Sequence, residues 1–279
     1  MGSALLTAAF ALCAAASWGS GDFNGGLCSR RIGSFYTVLI SYAIGLFAIV
    51  IAAIVRLEPI PPLADLIWGA VAGLVVMAGL LFLFRGFATG QMGIVAPVSA
   101  VLGTTIPVIF TAFTKGLPRE LQLVGFALAL FSIWLLSRPN KVGVRPAGLG
   151  LALLAGIGFG AFFTALSQVS KSAVFWPLIV ARLAACVLMI AFALFTRKPL
   201  LPPNPPWRLL ALAGILDVAG NIFFLLAVQS GRLDVAAVLG SLYPAVTAIL
   251  AGLIAKERMA RLQVIGVVMA VMAIGLITI

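Results

Sequence analysis

The chain has 279 residues, 63% of them hydrophobic and only 9% charged, where a soluble domain runs at about a quarter charged. No soluble fold of this length hides so much apolar surface, because about a quarter of what the unfolded chain exposes stays exposed after folding. The 18 Lys and Arg against 7 Asp and Glu lie singly or in short groups between apolar runs, which excludes a nucleic-acid partner and implies loop anchors beside the headgroups of a lipid bilayer.

A bilayer core of about 30 Å needs roughly 20 apolar helical residues, and ten such runs follow one another along the chain. The first, 3–27, lacks the positive start of a signal peptide and continues past Trp18, so it reads as a spanning helix. It ends in Trp18-Gly19-Ser20, Asp22, Asn24 and Gly25-Gly26. Those glycines weaken the helix and allow close packing, which predicts either a gate at a cavity mouth or plain packing with an interfacial Asp22. Trp18 is a cavity candidate, with an aromatic-belt position as the other reading.

The second run, 33–55, carries Tyr42. The third, 64–87, carries Gly69-x-x-x-Gly73, Phe82 and the start of Gly86-x-x-x-Gly90; the fourth, 92–114, carries Pro107; the fifth is 119–137. The sixth, 147–170, carries Gly156-x-x-x-Gly160, Phe163 and Gln168. The seventh, 174–196, carries Arg182, and the eighth, 207–229, carries Asp217 and Asn221. The ninth, 234–255, carries Tyr243 and Pro244, and the tenth is 261–279. The three small-residue spacings predict bundle packing. Trp68, Trp134, Trp176 and Trp207, each near a helix end, fit the aromatic belt.

The polar break around 138–146 separates a first unit, 1–137, from a second, 147–279. Val101-Leu102-Gly103-Thr104-Thr105-Ile106-Pro107 is matched by Val238-Leu239-Gly240-Ser241-Leu242-Tyr243-Pro244, and Leu121-Gln122-Leu123-Val124-Gly125 by Leu262-Gln263-Val264-Ile265-Gly266. Ala78-Gly79, Phe82 and Thr89-Gly90 are matched by Ala219-Gly220, Phe223 and Ser230-Gly231 at identical spacing. Five helices per repeat is odd, so the second repeat enters the membrane in the opposite sense. The expected fold is an all-α integral membrane protein, ten transmembrane helices as two inverted five-helix repeats around a central cavity. Such repeats place two bundles either side of the cavity, and rocking of the two halves gives alternating access.

With Trp18-Gly19-Ser20 late in the first helix, the paired glycine-to-proline motifs of helices four and nine, and Leu-Gln followed by a glycine in helices five and ten, the chain resembles the drug/metabolite transporter superfamily. More narrowly it resembles the EamA-type members and, among them, bacterial aromatic amino acid exporters. The resemblance implies a multi-pass exporter of the bacterial inner membrane, working on amino acids or toxic compounds through a cavity lined by both halves. The small four-helix relatives couple to protons through a glutamate in their first helix. This chain's first helix has none, and Asp22 stands near the predicted helix end, so that role does not carry over.

An ionisable group inside a spanning segment is costly and marks function by default. Arg182 and Asp217 fall at similar depth on consecutive helices. They predict either partners for the carboxylate and ammonium of a zwitterionic substrate, a proton carrier at Asp217, or a structural ion pair; Arg182 alone has a snorkelling alternative. Asn221, one turn past Asp217, shares its face. With Trp18, Tyr42, Phe82, Phe163, Gln168 and Tyr243 these residues make the expected substrate cavity. Pro107 and Pro244, at equivalent places, are candidate hinges.

No histidine is present, and Cys13, Cys28 and Cys186 lack ligand spacing, so neither a metal nor a disulfide framework is expected. No phosphate-binding loop is present, so ATP is not the drive, and no cofactor is expected. An intramembrane enzyme would want clusters of His, Asp and Glu at membrane depth, and a channel would not need the paired prolines. A monomer suffices for the cavity. The connections after odd-numbered helices, helix ends included, hold twelve Lys and Arg and those after even-numbered helices five. The positive-inside rule then places both termini outside, whereas the resemblance implies that they are cytoplasmic.

Overall fold

A computed structural model of the chain describes residues 2–88, 92–136, 149–170, 172–254 and 261–278. The predicted linker 138–146, Thr89-Gly90 and the basic residues Arg138, Lys141, Arg145, Lys171, Lys256 and Arg258 lie outside the described residues. The described chain is helical, with no strand among the described residues. Its elements are α1 (Gly2–Ile32), α2 (Ser34–Arg56), α3 (Leu63–Ala88), α4 (Met92–Lys115), α5 (Glu120–Leu136), α6 (Leu149–Leu166), α7 (Phe175–Phe195), α8 (Trp207–Ser230), α9 (Leu233–Gly240), α10 (Tyr243–Ile254) and α11 (Arg261–Thr278).

Five of these, α1, α2, α3, α7 and α8, are long and apolar enough to cross a membrane, and shorter apolar helices accompany them. Phe47, Phe113 and Phe195 stand largely exposed while Arg182, Asn221 and Asp234 are buried. That inside-out distribution suits lipid as the solvent.

Local chemistry sets the helix ends. Gly33, at φ 81°, turns α1 into α2, a backbone region that glycine enters without a Cβ clash. Leu57 closes α2 in the left-handed conformation, and Pro59, Pro61 and Pro62 prevent continuation. The proline-rich stretch before Trp207 separates α7 from α8 in the same way. Two departures from expectation concern helix ends. α1 runs on to Ile32, past Gly25-Gly26, and the predicted single helix 234–255 is broken at Ser241-Leu242, between α9 and α10. Pro244 has no N–H to give the Gly240 carbonyl, which frees that turn. By contrast α4 stays continuous through Pro107, so the two prolines do not bend their helices alike.

A third correction concerns the packing of the halves, which interlock and do not form separate bundles. α1 lies along α8, and its counterpart α6 lies along α3. α9 and α10 run beside α1 as α4 runs beside α6, while α5 pairs with α11. The result is two mixed bundles, one of α1, α2, α8, α9 and α10, the other of α3, α4, α6 and α7. Small residues permit the closest approaches. Gly69 and Gly73 face the α7 backbone at Pro177 and Ala181, and Gly156 and Gly160 face Leu102 and Ile106 of α4, so these two spacings do serve packing within the chain.

The connection from α6 to α7 is tied down from the first repeat. Glu58 accepts the backbone N–H groups of Phe175 at 2.8 Å and Trp176 at 3.2 Å, and Asp65 accepts from the Ser170 N–H at 2.9 Å and hydroxyl at 2.6 Å. Glu58 thus stands at the N-terminus of α7, where the orphan donors and the helix dipole favour a carboxylate.

Candidate functional site: a two-walled cavity

A cavity with about 430 Å³ of atom-free space, its mouth included, opens between the two mixed bundles. Helical segments from both repeats line it in equivalent pairs. Trp18 and Asp22 of α1, Asp217 and Asn221 of α8, and Ser241 and Tyr243 at the break between α9 and α10 form one wall. Val76 and Leu80 of α3, Ala100 and Gly103 of α4, and Phe159, Phe162 and Phe163 of α6 form the other. The first wall is polar and carries charge, and the second is apolar and aromatic.

The repeat explains this division. Asp217 and Asn221 stand 141 residues after Val76 and Leu80, the same interval that relates Ala219-Gly220 to Ala78-Gly79. Phe159 and Phe163 stand 141 residues after Trp18 and Asp22. Equivalent positions of one ancestral unit therefore face each other across the cavity, polar on one side and apolar on the other.

Within the polar wall the groups are linked. The Trp18 indole N–H donates to Asn221 Oδ1 at 3.0 Å, and Asn221 Nδ2 donates to Asp217 Oδ2 at 3.3 Å. Asp217 in turn pairs with the Arg182 guanidinium, which lies over the Tyr42 ring at 4.7 Å from its centroid. Arg182 is 2% exposed, which removes the snorkelling reading. A Cβ at Gly220 would come within 2.5 Å of the Trp18 ring, so the glycine makes room for the indole. Trp18 also packs on Phe163 and Phe224, at 5.6 and 5.4 Å between centroids. The Tyr243 hydroxyl lies 3.4 Å from that of Ser99. Ser241 is fully buried, and its hydroxyl has no hydrogen-bond partner among the described residues.

Of the residues expected at the site, Trp18, Phe163, Asp217, Asn221 and Tyr243 line the cavity, and Arg182 and Tyr42 stand directly behind Asp217. Two do not belong. Phe82 packs against the core away from the cavity, because α3 turns Val76 and Leu80 inward and residue 82 falls on another face. Gln168 lies beyond the end of α6, exposed, and bonds Ser167 at 3.0 Å. The expected site left out Asp22, which the sequence reads as a gate at the cavity mouth or an interfacial carboxylate and which lines the cavity ten residues inside the end of α1. It also missed Phe159, Phe162 and Ser241. The 141-residue interval, applied to Trp18 and Asp22, points to Phe159 and Phe163. Among the described residues no three His, Cys, Asp or Glu side chains are grouped to hold a metal.

Apolar helices with lipid-suited surfaces, interlocked around a cavity lined from both repeats, define a membrane transport protein. The comparisons agree with that class. The chain belongs to the EamA-like transporter family, whose model matches it twice, over residues 5–138 and 146–279. A solved structure described as "Crystal structure of protein" shares the fold, with a TM-score of 0.74 at 17% identity, covering 99% of this chain and 96% of that one. No curated protein matches the chain.

Proposed function

We propose that the protein is a secondary transporter that exports small amphiphilic amines by alternating access, large neutral and aromatic amino acids among them, across the bacterial inner membrane. The observation that carries this reading is the pairing of a polar, charged wall with an aromatic one in a single cavity, the composition of a small-molecule site. The ligand's polar end meets α1, α8 and Ser241, and its apolar body meets Phe159, Phe162 and Phe163. Because the aromatic wall fixes shape loosely, export of drugs and other metabolites is the second reading.

In this account α9 and α10 together make one broken span, so the chain crosses ten times as two inverted five-span repeats. The two mixed bundles rock about the cavity, with the freed turn before Pro244 and the Pro107 region as hinges. One chain supplies every lining residue, so a monomer suffices. The basic loops face the cytoplasm and both termini lie outside; a C-terminal reporter active solely in the cytoplasm overturns that orientation. The function is tested by counterflow in proteoliposomes, with labelled amino acids and amines offered with and without a pH gradient. Saturable exchange supports a carrier. Flux that never saturates indicates a channel, and a chemically altered product indicates an enzyme.

A further inference from the structure

The polar wall is rich in acceptors and poor in free donors. The Trp18 N–H, an Asn221 amide N–H and Arg182 Nη2 are already given to neighbours inside the wall. Arg182 Nη1 is buried without a partner among the described residues, but it faces the α2 backbone, where a Cβ on Gly45 would meet it at 2.9 Å, and Arg182 is not among the residues that line the cavity. The acceptors are different. Asp22 lines the cavity, and its carboxyl has no hydrogen bond or ion pair among the described residues, while Asp217 shares the cavity with it. Ser241 adds a buried hydroxyl with no partner among the described residues.

Counting charges, two carboxylates face one guanidinium, and that guanidinium is spent on Asp217. Asp217 thus has its counter-charge and Asp22 has none among the described residues, so the cavity offers a partner for a cation at Asp22 and no cationic partner for an anion. An ammonium brings three donors and no acceptor, which suits a wall whose unused groups are the Asp22 carboxyl and the Ser241 hydroxyl. Opposite it, the Phe159, Phe162 and Phe163 rings favour an aromatic or bulky apolar body, and aromatic faces also attract cations. A free carboxylate on the ligand would find no counter-charge at Asp22; the Ser241 hydroxyl could donate to it but brings no charge.

Resting on the transporter reading above, we infer that the preferred ligands are monocationic amines with an apolar or aromatic body, selected over zwitterionic amino acids by Asp22 and Ser241. The test uses three probes that share a phenyl ring and differ in charge: phenethylamine, phenylalanine and 3-phenylpropionate. Each is titrated into the purified full-length protein and offered for counterflow in proteoliposomes at neutral pH. Phenethylamine is expected to bind at least about tenfold tighter than phenylalanine, a difference of about 1.4 kcal/mol, and 3-phenylpropionate is expected not to bind.

Asp22→Asn erases the preference and Asp22→Glu keeps it. Ser241→Ala, which removes a hydroxyl with no partner among the described residues, lowers phenethylamine affinity several-fold without moving the unfolding temperature. It decides the matter should Asp22→Asn not fold. Phenylalanine binding as tightly as phenethylamine, a preference that survives Asp22→Asn, or an unchanged Ser241→Ala affinity overturns the inference and leaves the transporter reading standing. Absence of saturable exchange for all three probes in the folded protein overturns the transporter reading itself, and the inference with it.

Discussion

Trp18 hands its indole N–H to the Asn221 side-chain oxygen at 3.0 Å, across the α1–α8 contact that joins the first repeat to the second. Both residues face the cavity, and the bond is the first link of a chain running through Asp217 to Arg182. The polar wall is consequently one connected unit in which each member orients the next. Its stability and its ligand geometry are therefore coupled.

Replacing Trp18 by Phe keeps a ring on Phe163 and Phe224 but leaves Asn221 Oδ1 buried without its donor. A buried acceptor stripped of its partner costs about 1–3 kcal/mol. Thermal unfolding of Trp18→Phe in detergent should show a loss of that size, and counterflow should weaken because Asn221 no longer holds Asp217 in place. An unfolding temperature equal to that of the native protein contradicts the linked wall.

Arg182 and Asp217 form a largely buried pair, with side chains 3% and 20% exposed. Removing one partner of a buried pair leaves an uncompensated charge, at about 3–5 kcal/mol, whereas removing both with apolar replacements is often neutral. Arg182→Met and Asp217→Leu singly should destabilise strongly, and the double variant should recover much of the stability without recovering transport. Transport by Arg182→Ala and Asp217→Asn at native rates shows that the pair serves packing alone.

Much of this arrangement was legible in the sequence, and the failures share a physical cause. Apolar runs located the helices, and two charges at membrane depth located the pair at Asp217. Asp22 stays open between a cavity-mouth and an interfacial position in the sequence because Gly25-Gly26 reads as a helix end. In the fold Gly25 is instead a contact, where an added Cβ would lie 2.5 Å from the Phe84 ring, so the glycine admits α3 and α1 continues. The match between Phe82 and Phe223 was real but uninformative about facing. Phe223 stacks on Phe10 at 6.5 Å, and the inward pair at the same interval is Leu80 and Asn221. Interlocking of the repeats was invisible because sequence order does not say which helices touch.

Glu58 ties the first repeat to the N-terminus of α7, the helix that carries Arg182. A carboxylate satisfying helix-start donors contributes about 0.5–2 kcal/mol. Glu58→Ala should lower stability by that amount and loosen amide exchange at Phe175 and Trp176, while Glu58→Gln, which still accepts hydrogen bonds, should retain part of the effect. Equal exchange at those amides in all three proteins contradicts the tie.

The central claim is that the ligand occupies the space between the polar and aromatic walls. Its most direct test is substrate protection at Phe163, which lines that space. Phe163→Cys is placed in a chain whose Cys13, Cys28 and Cys186 are replaced by Ser or Ala, and a small maleimide is added with and without a substrate that the same protein exchanges in counterflow. The account predicts that the cysteine is labelled and that saturating substrate slows labelling at least several-fold. Labelling unaffected by a substrate that the variant still transports would contradict it.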